Sequence, residues 1–196
     1  LLADDAEGVA PEWAFFVKLV VNANALKPTA SREGFAEDAV LEQAREEVGQ
    51  QLQDYLSSLA EKQPEKFRLL LRLHDLTLKA LALENEDLFR LFAPRLEFET
   101  SSGTVALEDY LKNLPPQQSG TIYYAGNLEQ FRQMSRVAGA QGFNIINGGY
   151  VYATDLLERY AVLNPHISVE RVEADFFANR FEELSISERN SSFGFL

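Results

Sequence analysis

Between residues 96 and 172 the chain alternates short β-branched and aromatic runs with stretches of helical period, and few architectures accept that order. Leu96 to Thr100, Thr121 to Ala125 (TIYYA), Phe143 to Ile146 and Ile167 to Val172 read as strands. Leu107 to Leu111, Asn127 to Ala138 and Thr154 to Val162 read as the helices between them. Asn127 is placed to cap its helix, with Gln130 three residues on in the capping-box pattern. Gly142 suits the stop of that helix, and Asn164-Pro165 the stop of the next. Strands joined through helices are joined by crossovers, and crossovers imply parallel pairing. Residues 96–175 are therefore expected to form a small, mostly parallel α/β/α subdomain. No internal repeat interrupts this order.

The preceding segment is helical in pattern. From Glu37 onward Val40, Ala44, Val48, Leu52, Leu56 and Leu59 recur every three or four residues, with Leu41 and Tyr55 beside them. Glu37, Asp38 and Glu42 lie where the helix dipole favours negative charge. Pro64 suits the first turn of a second helix, whose apolar face continues through Phe67, Leu70, Leu71, His74, Leu78 and Leu81. A third helix is expected near Glu86 to Phe92, ending at Pro94. Upstream, residues 1–10 read as a frayed acidic lead-in. Phe15 to Val21 (FFVKLVV) reads as a strand buried on both faces, and Asn22 to Ala36 as a loop. Residues 185–196 read as a poorly ordered tail or a linker. The chain opens Leu1-Leu2-Ala3-Asp4, without a methionine, and reads as a piece of a longer protein.

Charge and inventory exclude much. The 30 acidic against 18 basic residues give a formal charge of -12, which repels phosphate backbones and argues against sequence-independent nucleic-acid binding. No apolar run reaches the ~18 residues of a membrane span. Without cysteine there is neither a disulfide nor a thiol nucleophile. Two histidines, His74 and His166, give no basis for a metal cluster or a Ser-His-Asp set. His74 reads as a core residue and His166 as a loop residue without a role. Gly148-Gly149 reads as a turn, Tyr123-Tyr124 as strand packing, and Glu46-Glu47 and Glu182-Glu183 as solvated helix faces. Trp13 reads as packing.

One segment carries two readings. Ser31-Arg32-Glu33 follows the apolar run and precedes the acidic helix start. In the first, Ser31 caps the helix and Arg32 and Glu33 form a surface ion pair. In the second, Arg32 is held outward to bind a phosphate, a task for a permanently charged fork of donors.

Four stretches, in order, resemble the heat-shock protein 90 family. Pro11 to Ala36 (PEWAFFVKLVVNANALKPTASREGFA) is similar, without gaps, to that family's P-E-Y-x-x-F-I/V-R-G-V-V-D-S-x-D-L-P-L-N-x-S-R-E-x-L-Q. Ala106 to Tyr110 resembles S-L-x-D-Y, Ile122 to Gly126 resembles I-Y-Y-I-T-G, and Ala140 to Ile146 resembles K-x-G-x-E-V-I/L. The matches span about residues 10–173 and resemble the middle domain of an HtpG-like bacterial molecular chaperone.

The resemblance implies an α/β chain in four parts. Residues 1–36 would hold the last strand and catalytic loop of a larger α/β part, 37–95 a helical connector, 96–175 the small subdomain, and 176–196 a tail or linker. It implies an ATP-dependent, stress-response chaperone of the cytoplasm that binds unfolded client proteins, without nucleic-acid or membrane partners. ATP, with Mg2+, would be bound mainly by a separate N-terminal ATPase domain. A C-terminal domain would make the full-length protein a homodimer and a slow ATPase. Arg32 takes the place of the catalytic arginine that contacts the γ-phosphate, with Ser31 and Glu33 as loop support. The sequence also departs from the family. Ala36 stands at a family glutamine, Thr29 at an asparagine, Leu19 at a glycine, Asn22 at an aspartate and Ala106 at a serine. These departures open an alternative, a non-catalytic α/β protein-binding module that has lost nucleotide coupling.

Overall fold

The computed structural model describes residues 8–22, 24–173 and 176, and the chain divides into two compact units, Leu1–Leu70 and Leu71–Leu196. In the first unit the long apolar period becomes α1 (Ala39–Lys62). Its cap is Asp38, whose carboxylate accepts the backbone N–H of Val40 at 3.0 Å and of Leu41 at 3.1 Å. The buried face lies about one residue on from the expected stripe, because Leu41 rather than Val40 meets Val9 and Leu26, with Phe35 and Ala44 packed on that cluster. Val40 is left 44% exposed. Gly49, buried in α1, leaves room for Pro11, whose Cγ lies 3.5 Å from where a Cβ would stand.

Two expectations about the start of the chain fail. Residues 8–10 are not frayed: Val9 is buried, and the Arg45 guanidinium donates to the Gly8 carbonyl at 2.6 Å while pairing with Glu37 at 3.1 Å. Residues 1–7 lie outside the described residues, as does 185–196. Phe15 to Val21 is not a buried strand. A single 3-10 turn (Glu12–Ala14) precedes it, and Val20 is 99% exposed. Apolar density does not make a strand without a neighbour to receive its N–H and C=O groups, and no strand lies beside this segment among the described residues.

The helix α2 (Pro64–Leu73) opens on its proline, as expected. The helical face read as continuous through His74 is broken there, because His74 leaves helical geometry at φ -122° and α3 (Asp75–Glu84) starts afresh. Leu78 and Ala82 are buried on α3. The Asn85 side chain caps α4 (Glu86–Phe92), accepting Leu88 N–H at 3.0 Å. Pro94 then ends the helical run in a short 3-10 turn.

A mixed five-stranded sheet completes the second unit. Its strands are β1 (Glu97–Thr100), β2 (Gly103–Ala106), β3 (Thr121–Ala125), β4 (Ile145–Asn147) and β5 (Ser168–Val172), in the order β2-β1-β4-β3-β5. As the crossovers require, β3 pairs in parallel with both β4 and β5. Between them run α6 (Leu128–Ala140) and α7 (Ala153–Leu163), while α5 (Leu107–Lys112) follows β2. The chain steps from β3 to one side and returns past it to the other. With right-handed crossovers, that reversal puts α6 and α7 on opposite faces. Tyr123, Ala125 and Ile145 share one face with Phe131, Met134 and Ala138 of α6. The hairpin β1–β2 was not anticipated. It adds antiparallel pairing, with Thr100 against Gly103 across the turn and against Ile146 of β4.

Local signals are realised in detail. Asn127 accepts Gln130 N–H at 2.9 Å, although the Gln130 Oε1 is buried without a partner, so only half of the capping box forms. Gly142, at φ +74°, ends α6 with Gly142 N–H donating to Gly139 and Phe143 N–H to Ala138, the paired bonds of a Schellman stop. A buried polar clamp ties the sheet to its flank. The Gln118 amide donates to Tyr110 Oη and the Asn144 carbonyl and accepts Asn144 N–H, while Tyr110 Oη donates to that same carbonyl.

Candidate functional site

Ser31, Arg32 and Glu33 lie together, exposed, at the tip of a small hairpin in the first unit. Its two arms meet at an isolated bridge between Pro28 and Phe35. Ala36 N–H donates to Lys27 C=O at 2.8 Å below that bridge, and Thr29 N–H donates to Gly34 C=O at 2.9 Å above it. Arg32 N–H then donates to Thr29 C=O at 3.0 Å and closes the turn. The base is anchored because Leu26 and Phe35 belong to the Val9–Leu41 cluster. A charged tip thus stands on an apolar foot, a short distance before α1.

Arg32 itself occupies the left-handed region at φ 61°. A non-glycine residue there costs about 1–2 kcal/mol, which the surrounding turn must offset. Among the described residues its guanidinium makes no ion pair and no hydrogen bond. The first reading of this segment is corrected on both counts. Ser31 does not cap α1, since Asp38 does. Glu33 forms no ion pair with Arg32. Ser31 Oγ instead lies 3.2 Å from Thr29 Oγ1. Ala36, at the end of the hairpin, contributes its backbone and a methyl group and no side-chain donor.

The other candidates resolve into structure. Gly148 and Gly149 form a tight turn, because a Cβ on Gly149 would lie 2.6 Å from the Leu128 backbone nitrogen and one on Gly148 2.6 Å from the Tyr124 ring. Tyr123 and Tyr124 are buried in β3, with the Tyr123 ring set against Phe143 at 5.8 Å. His74 is half-buried at a helix junction and His166 is exposed in a loop. Trp13 is half-buried, its ring 6.4 Å from that of Phe16. Glu46 and Glu47 face solvent, and Glu182-Glu183 lies outside the described residues. No group of three or more metal-ligating side chains occurs among the described residues. Sequence reasoning missed Thr29, whose hydroxyl braces the turn. An ordinary threonine in a loop gives no signal of that.

The sequence and the fold are similar to those of known proteins. The family described as Hsp90 protein matches residues 1–164. The chain belongs to the Hsp90 family. Chaperone protein HtpG of Salmonella typhimurium is 29% identical over 128 residues, covering 63% of this chain and 20% of that protein. HtpG of Pectobacterium atrosepticum is 30% identical over the same length. The mitochondrial TNF receptor-associated protein 1 homolog of Dictyostelium discoideum is 25% identical over 131 residues, 63% of this chain and 18% of that protein. The chain therefore spans about a fifth of the length of these curated relatives. Among solved structures, the middle domain of a Plasmodium falciparum heat shock protein superposes with a TM-score of 0.54 at 16% identity, covering 70% of this chain and 60% of that one. That likeness shows the fold: the chain is built as an HtpG-like Hsp90 middle domain.

Proposed function

We propose that this middle domain works within an ATP-driven chaperone and lends Arg32 to the γ-phosphate of a nucleotide held by a separate N-terminal domain. The observation that carries the reading is the exposed guanidinium of Arg32, unpaired among the described residues, at the tip of a closed, anchored turn. A cation that pairs with no group among the described residues is available to an anion supplied by another domain. Its planar fork of donors matches phosphate oxygens. The residues present fit a contact to the phosphate end of ATP and no more than that. Mg2+ would come with the nucleotide and neutralise its charge during transfer. Ser31 and Glu33 flank the arginine, and both are exposed.

The same reading assigns client polypeptides and a C-terminally dimerised, cytoplasmic whole to the full-length protein. No helix among the described residues is long and apolar enough to cross a membrane. A charge-assisted contact of this type is worth about 1.5–3 kcal/mol, or roughly 10- to 150-fold in rate. The test is ATP turnover by the full-length protein and by Arg32→Ala. A drop in kcat within that range supports the reading, and unchanged turnover removes Arg32 from catalysis.

One observation favours a second reading. Ala36 has no side-chain donor to offer a phosphate or a water, so the domain could serve as a protein-binding module without nucleotide coupling. Full-length protein that binds no ATP would establish that alternative.

A further inference from the structure

The hydrogen bonds that close the turn around Arg32 all involve Thr29. Its carbonyl accepts Arg32 N–H at 3.0 Å, and its N–H donates to Gly34 C=O at 2.9 Å. Its Oγ1 donates to that same Gly34 carbonyl at 3.3 Å and lies 3.2 Å from Ser31 Oγ. One hydroxyl therefore links the descending arm of the hairpin to the residue just before Arg32. Thr29 is half-buried, whereas Ala30, Ser31, Arg32 and Glu33 are exposed. A residue at positive φ persists only where its neighbours hold it there, and Arg32 is such a residue. From this we infer that Thr29 is a positioning residue, its hydroxyl fixing the left-handed turn from which Arg32 is presented. It touches no reacting atom and acts only through the arginine. The inference rests on the proposed role of Arg32.

It also bears on the departure noted in the sequence. Threonine replaces an amide side chain at this position, so the turn is braced here by a hydroxyl bonded to Ser31 and Gly34. The backbone bonds use no side-chain atom, and valine or serine at this position retains both donor and acceptor. Losing the hydroxyl therefore loosens the tip without unfolding the hairpin.

The experiment compares ATP turnover by the full-length protein with that of Thr29→Val, Thr29→Ser, Arg32→Ala and the double variant Thr29→Val/Arg32→Ala. Valine keeps the shape and β-branching and deletes only the hydroxyl. The expected result is a kcat lowered about two- to tenfold in Thr29→Val, the range one such hydrogen bond carries. KM for ATP stays unchanged, and Thr29→Ser is restored to near the parent rate. In the Arg32→Ala background Thr29→Val has no further effect, because the two residues act as one unit. If Arg32→Ala is impaired and Thr29→Val turns over like the parent, this inference alone is overturned. It is overturned equally if Thr29→Val raises KM at constant kcat, or slows the Arg32→Ala protein further. If Arg32→Ala itself is unimpaired, the reading beneath it falls.

Discussion

Replacing Gln118 with leucine tests whether the buried polar clamp holds the small subdomain together. Gln118 is 1% exposed, and its amide makes three hydrogen bonds, to Tyr110 Oη at 2.8 Å, to the Asn144 carbonyl at 2.7 Å and from Asn144 N–H at 2.8 Å. The losses are unequal. The Asn144 carbonyl keeps the Tyr110 hydroxyl as a donor at 2.7 Å, so it stays satisfied. Asn144 N–H keeps nothing, and an orphaned donor away from water costs about 1–3 kcal/mol. The other two bonds add about 0.5 kcal/mol each, and the gain from an apolar side chain offsets part of the total. The net expectation is about 2–3 kcal/mol, which lowers Tm by roughly 6–12 °C for a unit of this size. Thermal unfolding followed by near-ultraviolet circular dichroism reads it directly. Tyr110→Phe leaves the Asn144 carbonyl served by Gln118 but orphans one hydrogen of the buried Gln118 amide, and it too should cost about 1–3 kcal/mol. A Gln118→Leu or Tyr110→Phe melt indistinguishable from the parent refutes the clamp.

Burial pushes the Tyr110 hydroxyl well above the ordinary tyrosine value, with its bond to Gln118 opposing. Its contribution to stability is therefore full below pH about 10 and falls as pH climbs from there toward the raised folded-state value. Urea titrations from pH 9 upward should show a steeper alkaline loss in the parent than in Tyr110→Phe. Gly149→Ala drives a Cβ to 2.6 Å from the Leu128 nitrogen and 3.0 Å from Asn127 backbone atoms. It should cost about 1–3 kcal/mol by urea denaturation. Gly139→Ala, in α6 with open space around it, should instead stabilise by about 0.5–1 kcal/mol in the same titration. Asp38→Ala removes the cap of α1 and should lower stability by about 0.5–2 kcal/mol, read as reduced helical circular dichroism on mild heating.

The sheet was legible where burial and local chemistry agree. Thr121–Ala125 is apolar on both faces because it is the central parallel strand, and Asn127 and Gly142 mark the ends of α6 with their own side-chain and backbone chemistry. β2 was missed because Gly103-Thr104-Val105-Ala106 is four residues long and half exposed, and pairing with β1 rather than its own pattern makes it a strand. Phe15 to Val21 failed for the converse reason. Its apolar density is real, but strand formation depends on a neighbour that no local pattern reveals. The α1 stripe was displaced by one residue because Val9 and Leu26, distant in sequence, decide which side of the helix is covered. At the site, residue type alone left Arg32 between a surface ion pair and a phosphate contact, and the family resemblance gave it a role. Its left-handed backbone and the Thr29 brace were invisible, since neither residue type advertises a positive φ or a side-chain tie across a turn.

The proposed role of Arg32 turns on where its guanidinium goes when nucleotide is bound. A structure of the full-length protein with a non-hydrolysable ATP analogue measures that distance. The expected result is an Arg32 nitrogen about 2.7–2.9 Å from a γ-phosphate oxygen, the length of a charge-assisted hydrogen bond. An analogue bound in its pocket with Arg32 still facing solvent, or paired with a carboxylate of its own domain, would contradict it.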